Sequence, residues 1–165
     1  MNKSFLSIGS NLGNKNNNIK KVISYLLKDN INIINQSSIY ESEPIASENQ
    51  NNYYNFVIEV DFAFNCKTLF LKIKNIEHIM GRNFYVPRNS PRIIDIDILT
   101  FNDEIISNNM YTIPHKELNK RKFVLIPWND LSSNYIVPKL NKKISTLLND
   151  VKDLSIIRKL NICIL

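Results

Sequence analysis

The sequence has few cysteines, the residues that form disulfide frameworks and many metal clusters, and it has no long apolar run. It contains two cysteines, Cys66 and Cys163, in 165 residues, and because they lack metal-ligand spacing we expect free thiols. No segment approaches the roughly 18 apolar residues of a membrane span, and the apolar run near the N-terminus is too short for a signal peptide. We therefore expect a cytoplasmic protein that does not bind a membrane.

Glycine is also scarce, with three residues in the chain. The phosphate-binding pattern G-x-x-x-x-G-K-[ST] is absent, so we interpret Gly9 and Gly13 as a turn followed by a helix cap. No internal repeat or linker divides the chain, and 44% hydrophobic residues suffice for one core. We expect a single domain over residues 1–165. Taken alone, the net charge of +6 would be compatible with a nucleotide, a nucleic acid or a membrane surface as partner, but it is largely lysine background and we discount it.

The order of apolar patterns predicts an α+β fold. Strand patterns alternate with two helical stripes, the second of which begins after Asn65 and ends at Gly81. The predicted strands are Ser4–Ile8, Ile31–Tyr40, Tyr53–Phe62 and Ile93–Leu99. The resulting βαββαβ order is ferredoxin-like, with helices packed on an antiparallel sheet and extra helices and strands at the C-terminus. The last apolar run, Ile156–Leu165, is compatible with a strand or a helix.

A pair of carboxylates on the last of these strands is the central motif. Asp95 and Asp97 interrupt an apolar run, and because side chains alternate along a strand they face the same side, about 6.6 Å apart. Their repulsion, about 2.5 kcal/mol at an effective dielectric of 20, predicts a cation beside them, either a divalent metal or a guanidinium. A solvated acidic face on an edge strand is the alternative.

The loop before this strand is rich in arginine, although lysine dominates the chain. Three of the five arginines, at positions 82, 88 and 92, fall in the polar, proline-containing stretch Arg82–Arg92. Guanidinium groups suit phosphate oxygens better than ammonium groups do. Carboxylates that hold a hard metal, beside guanidiniums on a mobile loop, indicate a site for a metal-bound polyphosphate.

Three weaker signals accompany this motif. Tyr53 and Asn55 point to the same side of their strand, where they suit a flat heterocycle, although this pattern alone favours an ordinary half-exposed strand face. Glu77 lies in the last turn of its helix, where the dipole disfavours an anion, which suggests a cationic or metal partner as an alternative to chance. His115 follows a proline in a loop, which favours a phosphate contact over a core position.

Taken together, the motifs resemble those of the 6-hydroxymethyl-7,8-dihydropterin pyrophosphokinase family of folate biosynthesis. The resemblance covers most of residues 4–138 in the family's order, and P-R-x-x-D-x-D followed by P-H is its most specific part. The matching segments are S-I-G-S-N-L-G, S-S-I-Y-E-S-E-P, Y-Y-N-F-V-I-E-V, G-R, P-R-I-I-D-I-D-I-L, T-I-P-H and R-K-F-V-L-I-P.

The resemblance implies transfer of pyrophosphate from ATP to the pterin alcohol, with a role for each matching residue. Asp95 and Asp97 would hold two magnesium ions that bridge the ATP phosphates, and Arg82 and Arg92 would be the catalytic guanidiniums. The nucleotide residues would be Glu77, Ile98, Thr112, His115 and Arg121. The pterin residues would be Ser42, Ile45, Tyr53, Asn55 and Phe123, with Phe123 stacked on the ring.

The chain departs from the family pattern at three positions. Asn89 stands where many members carry a tryptophan, so one stacking wall is missing, and Met110 and Lys116 stand where basic or aromatic residues are expected. None of these positions touches the carboxylate pair. We expect a monomer that binds small molecules and no nucleic acid. The competing hypotheses are a metal-dependent nucleotidyltransferase or nuclease, and an RNA-binding domain, which lacks its aromatic strand motif here.

Overall fold

A six-stranded antiparallel sheet supports the helices of this chain. The computed structural model describes residues 1–44, 50–87 and 89–162, and within them the chain forms four α-helices. The helices are α1 (Lys15–Lys28), α2 (Cys66–Ile79), α3 (Lys122–Ser132) and α4 (Ile144–Asp150). The strands are β1 (Asn2–Ser10), β2 (Asn32–Gln36), β3 (Tyr40–Ser42), β4 (Tyr53–Phe62), β5 (Asp95–Phe101), β6 (Ile106–Ser107), β7 (Thr112–Ile113), β8 (Ile136–Val137), β9 (Lys142–Lys143) and β10 (Ile157–Lys159).

The strands of the main sheet run in the order β10, β3, β4, β1, β5, and β2 also pairs with β4. The pairs β6 with β7 and β8 with β9 form two small separate sheets. This arrangement confirms the predicted mixed fold of helices on an antiparallel sheet. Among the described residues, none of the helices is long and apolar enough to cross a membrane.

The sheet is covered on both faces. Ile8, Phe56 and Ile96 pack against α1 and α2 on one face, while Phe5 and Val57 pack against α3 and α4 on the other. This second layer explains why β4 is buried on both sides over its central residues, since Val57 is fully buried there. On this side of β4, Asn55 is buried beside Val57, whereas Tyr53 at the start of the strand is half-buried.

The predicted single strand Ile31–Tyr40 is wrong, because the chain forms two strands, β2 and β3, in this region. Ser37 lies at the break. Its hydroxyl accepts a hydrogen bond from the amide of Val57 at 3.0 Å and donates one to the carbonyl of Ser38 at 2.8 Å. The Ser37 hydroxyl thus accepts a hydrogen bond that a backbone carbonyl accepts in a regular sheet. This interrupts the strand between β2 and β3 and changes the direction of the chain.

Both ends of α2 have the capping residues that the sequence predicts. Asn65 caps α2 by accepting a hydrogen bond from the amide of Thr68 at 2.9 Å. At the other end Gly81 adopts a φ of +88°, and the amides of Gly81 and Arg82 donate to the carbonyls of His78 and Glu77 at 2.9 and 3.0 Å. This is a Schellman motif, and it places the Arg82 side chain beside the last turn of α2.

Candidate active site

Three strand ends meet at one edge of the sheet and bring the polar residues of the site together. Because β1 is antiparallel to both β4 and β5, Gly9 of β1 is paired with Asn55 on one side and with Asp95 on the other. A Cβ atom at Gly9 would lie 3.1 Å from Oδ1 of Asn55. The glycine therefore leaves room for an amide side chain between the two strands.

The carboxylate pair points out of the sheet, as the alternation predicts. Ile96 is buried, whereas the side chains of Asp95 and Asp97 keep 26% and 30% of their surface exposed. Nη1 of Arg82 lies 2.6 Å from Oδ1 of Asp95, and Nη1 of Arg92 lies 2.7 Å from Oδ2. Guanidinium groups thus serve as the cations that the like-charge repulsion requires.

The electrostatics of Asp95 follow from these contacts. Burial acts to raise the pKa of Asp95, but Arg82, Arg92 and Lys74 outweigh it and hold that pKa below its ordinary value. The carboxylate is therefore ionised at neutral pH and is bound by Arg82 and Arg92.

Asp97 faces an arginine and a histidine from the segments that follow β7. Nη1 of Arg121 lies 3.6 Å from Oδ2 of Asp97, and Nε2 of His115 lies 3.7 Å from the same oxygen. Nδ1 of His115 accepts a hydrogen bond from the amide of Glu117 at 3.2 Å. Burial lowers the pKa of His115, Asp97 opposes this effect, and Arg121 adds to it. The ring is therefore neutral at pH 7 and carries its proton on Nε2, which faces Asp97.

Glu77 forms a buried connection between α2 and the carboxylate strand. Its fully buried carboxylate accepts hydrogen bonds from Nζ of Lys74 at 2.8 Å and from the amide of Ile96 at 2.7 Å, and it also pairs with Arg82. Burial raises the pKa of Glu77, and the two cations oppose that shift. The cationic partner inferred from the helix position is therefore present, and it is Arg82 together with Lys74.

One cavity next to these carboxylates has an aromatic and amide lining. Nδ2 of Asn55 donates to Oγ of Ser42 at 2.8 Å, and both side chains are buried. The ring of Phe123, in the first turn of α3, lies 5.8 Å from the Arg121 guanidinium carbon. The lining residues include Ser42, Tyr53, Asn55, Asn89, Arg92, Asp95, Asp97, Arg121 and Phe123. Ile45, the remaining residue expected here, lies outside the described residues.

A second cavity lies on the other side of Asp97. Its lining contains the expected residues Ile98, Thr112 and His115. It also contains residues that sequence reasoning missed, namely Phe70, Lys74 and Tyr111, of which Phe70 and Tyr111 have ring centroids 4.9 Å apart. Helical spacing was the available signal, because positions 70, 74 and 77 fall on one face of α2. Glu77 is outside this lining, but it pairs with Lys74, which belongs to it.

The end of the arginine-rich loop is anchored to the turn after β1. The amide of Asn11 donates to the carbonyl of Arg92 at 3.1 Å, and Oδ1 of Asn11 accepts from the Arg92 amide at 2.8 Å. Earlier in the loop, Phe84, Tyr85 and Val86 are exposed, Tyr85 completely. Arg88 lies outside the described residues. The loop is therefore fixed at its C-terminal end, while its apolar middle faces solvent.

The sequence of this chain is similar to the sequences of known proteins. The sequence profile of the family described as 7,8-dihydro-6-hydroxymethylpterin-pyrophosphokinase (HPPK) matches residues 5–133. A 2-amino-4-hydroxy-6-hydroxymethyldihydropteridine pyrophosphokinase of Aquifex aeolicus is 37% identical over 84% of this chain and 85% of its own. A protein of the same name from Haemophilus influenzae is 32% identical over 87% of this chain and 89% of its own.

Longer proteins contain a similar region. The folic acid synthesis protein FOL1 of Dictyostelium discoideum is 39% identical over 83% of this chain, which corresponds to 20% of its own length. The crystal structure of Plasmodium falciparum HPPK-DHPS, wild type, with SDX-DHP, shares the fold with a TM-score of 0.70 at 20% identity, covering 90% of this chain and 44% of that one. The chain therefore belongs to the 7,8-dihydro-6-hydroxymethylpterin-pyrophosphokinase family.

Proposed function

We propose that this chain transfers the pyrophosphoryl group of ATP to the hydroxymethyl group of 6-hydroxymethyl-7,8-dihydropterin, giving the pterin diphosphate and AMP in tetrahydrofolate biosynthesis. The observation that best supports this assignment is the position of Asp97, which lines both cavities of the site. A carboxylate that belongs to two adjacent cavities lies where a flat acceptor bound in one cavity would meet a polyphosphate donor bound in the other. Family membership disfavours the nuclease and RNA-binding alternatives.

We assign the first cavity to the pterin. Because Nδ2 of Asn55 is held by Ser42, its carbonyl oxygen remains available as an acceptor for the amino and ring N–H groups of the heterocycle. Phe123 offers a ring face for stacking, and Tyr53 offers a second aromatic side chain. Ile45 is assigned to the same pocket from the sequence.

We assign the second cavity to the nucleotide. Ile98 and Thr112 line it and would contact the nucleoside, and His115 would donate its Nε2 proton to a phosphate oxygen. Arg121 lines the first cavity and contacts Asp97, so it would bind phosphate at the boundary of the two. Glu77 is assigned to the nucleotide site through Lys74, because its carboxylate holds that ammonium group at the cavity wall.

The chemistry of Asp95 and Asp97 fits magnesium. Two carboxylates leave most of the octahedral positions of this ion to phosphate oxygens and water, as is usual for nucleotide-bound magnesium. The described part of the chain contains no group of three or more histidine, cysteine or acidic side chains that could hold a metal without a substrate. We therefore assign two magnesium ions to this pair together with ATP, where they would neutralise phosphate charge.

The arginines have a second role once Asp95 binds a metal. Arg82 and Arg92 both pair with Asp95. A metal ion on Asp95 would replace these contacts and free both guanidiniums to bind the phosphate oxygens on which charge develops as AMP leaves. The acceptor alcohol and the donor phosphate would then be held together in a site with reduced access to water.

We further assign the core to the ferredoxin-like type, because β1, α1, β2 with β3, β4, α2 and β5 follow its chain order and its antiparallel strand order. The single-domain organisation and the monomeric state remain predictions from the sequence. The cytoplasmic location remains a prediction from the sequence.

The products of ATP turnover test this function. With the hydroxymethyl pterin and magnesium present, chromatography should show AMP and the pterin diphosphate in equal amounts. An ordinary kinase would produce ADP, and a nucleotidyltransferase would release free pyrophosphate. Formation of ADP, or of AMP at the same rate without the pterin, would contradict the proposal.

A further inference from the structure

A segment near the C-terminus contacts two of the elements that line the first cavity. This segment, residues 153–160, is called here the C-terminal strap, and it lies beyond the residues 5–133 that the family profile matches. It contacts β3, which carries Ser42, and it contacts the start of α3, which carries Arg121 and Phe123. These two elements are far apart in sequence, and each contributes residues to the cavity lining.

On the β3 side, the strap adds a strand to the sheet. Strand β10 pairs with β3 in antiparallel register, with Ile157 opposite Ser42. The amide of Leu160 continues this contact by donating to the carbonyl of Ile39 at 2.9 Å. Strand β3 is only three residues long, so its partners on both sides decide where Ser42 lies. The strap is one of those partners, and β4 is the other.

On the α3 side, the strap supplies a helix cap. The residue before the helix, Arg121, makes no capping hydrogen bond with its side chain. Instead Oδ2 of Asp153 accepts a hydrogen bond from the amide of Lys122 at 2.9 Å, and Nζ of Lys122 donates to the carbonyl of Ser155 at 3.1 Å. A carboxylate at a helix N-terminus satisfies a free amide and interacts favourably with the helix dipole.

The Asp153 carboxylate is itself held in place. Its Oδ1 accepts a hydrogen bond from the amide of Ser155 at 2.8 Å. Burial opposes the shift, but the hydrogen bonds from Ser155 and Lys122 lower the pKa of Asp153. The carboxylate is therefore ionised at neutral pH, as capping of α3 requires.

We infer that the C-terminal strap sets the separation between Ser42 and Phe123, and that Asp153 is a positioning residue for the acceptor substrate. Only three residues separate Asp153 from Ile157, so the two contacts cannot move independently. A pocket whose walls are already held at the separation needed for binding loses less conformational entropy when it binds a rigid, flat ligand. The inference rests on the proposed function, because it assigns the cavity to the pterin.

The first test is the variant Asp153→Ala, assayed for both substrates. We expect the KM for the hydroxymethyl pterin to rise about five- to tenfold, the usual effect of a lost cap on an equilibrium, while the KM for ATP changes less than twofold. Asp153→Asn keeps one acceptor oxygen and should give an intermediate value. If thermal unfolding shows that the alanine variant does not fold, Asp153→Asn is tested in its place.

Asp150→Ala is the matched control, because Asp150 is an exposed acidic residue three positions earlier that pairs with Lys142 and with neither wall. It should leave both KM values unchanged. An unchanged pterin KM in Asp153→Ala, or equal rises of both KM values, would overturn the inference. Amide hydrogen exchange gives a readout that does not depend on turnover, since Asp153→Ala should speed exchange in β3 as well as in α3.

The two proposals fail in different ways. If the parent chain forms no AMP with the pterin, the proposed function is wrong, and the role of the strap in pterin binding falls with it. If the parent is active and exchange in β3 is the same in Asp153→Ala and in the parent, the coupling of the two walls is wrong while the function stands.

Discussion

Arg82 and Asp95 are joined by an ion pair in which Nη1 lies 2.6 Å from Oδ1, and the same guanidinium also pairs with the buried Glu77. One side chain therefore connects the end of α2 to the first residue of β5. The contact balances the charge of Asp95, and a metal ion bound by that carboxylate would compete with it. The predictions below follow from this relationship and from the two cavities beside it.

Replacing Asp95 or Asp97 with alanine should lower turnover at least 10²-fold, because the proposed magnesium ligands are lost. Asp103→Ala, at an exposed position just after β5, is the matched control and should keep the parent rate. Steady-state kinetics at saturating ATP and pterin measure both. Activity within about tenfold of the parent in either site variant would contradict the assignment.

The stability of the free protein should depend on the charge of Asp95. Because the pKa of Asp95 is lowered in the folded state, its ion pairs stabilise the fold above the ordinary aspartate pKa of about 3.9 and stop doing so as the pH falls through the lowered value. Asp95→Asn should therefore reduce the free energy of unfolding most at pH 7, and the difference from the parent should shrink below about pH 4. Denaturant unfolding across this pH range gives the comparison, and a constant difference would count against it.

Arg92→Met should strengthen binding of Mn²⁺, used as a probe for magnesium, in the absence of nucleotide. The substitution removes one of the two cations that occupy Asp95, while turnover should fall at least 10²-fold because a phosphate-binding group is lost. Electron paramagnetic resonance of free Mn²⁺ measures the affinity. Lys67→Met, at an exposed position in the first turn of α2, should change neither quantity, and weaker binding in Arg92→Met would show that the ion pair does not compete.

The loop between Arg82 and Arg92 should become protected when the nucleotide site is filled. Chymotrypsin should cleave the free chain at the exposed Phe84 and Tyr85, and magnesium with a non-hydrolysable ATP analogue should slow this cleavage. Asp97→Ala should show no protection, and Asn89→Trp should show more, because it restores an aromatic wall. Equal cleavage rates with and without ligand would rule out ordering of the loop.

Cys66 should resist alkylation in the native protein. Burial raises the pKa of its thiol to about 12, so almost no thiolate is present at pH 8, and the side chain is 2% exposed. In a Cys163→Ser background, iodoacetamide should label Cys66 only after denaturation. Rapid labelling of the native chain would indicate an opening of the core around α2.

Local patterns were enough to predict several elements, because the forces that form them act between near neighbours. The span Tyr53–Phe62, the Asn65 cap, the end of α2 at Gly81 and the shared side of Asp95 and Asp97 all follow from alternation, capping and glycine conformation. Resemblance to a family supplied roles for the site residues, which composition and spacing alone do not assign.

Other features depended on contacts between distant parts of the chain, which no local pattern encodes. The break at Ser37 needs the amide of Val57, and the pairing of Glu77 with the Ile96 amide needs α2 to pack against β5. The hold of the C-terminal strap on β3 and α3 likewise exists only in the folded chain. The sequence by itself thus determined which carboxylates, guanidiniums and aromatic rings are expected to bind metal, phosphate and a flat ring. The tertiary structure decided which of them are paired and buried, because burial and ion pairing depend on neighbours that folding brings together.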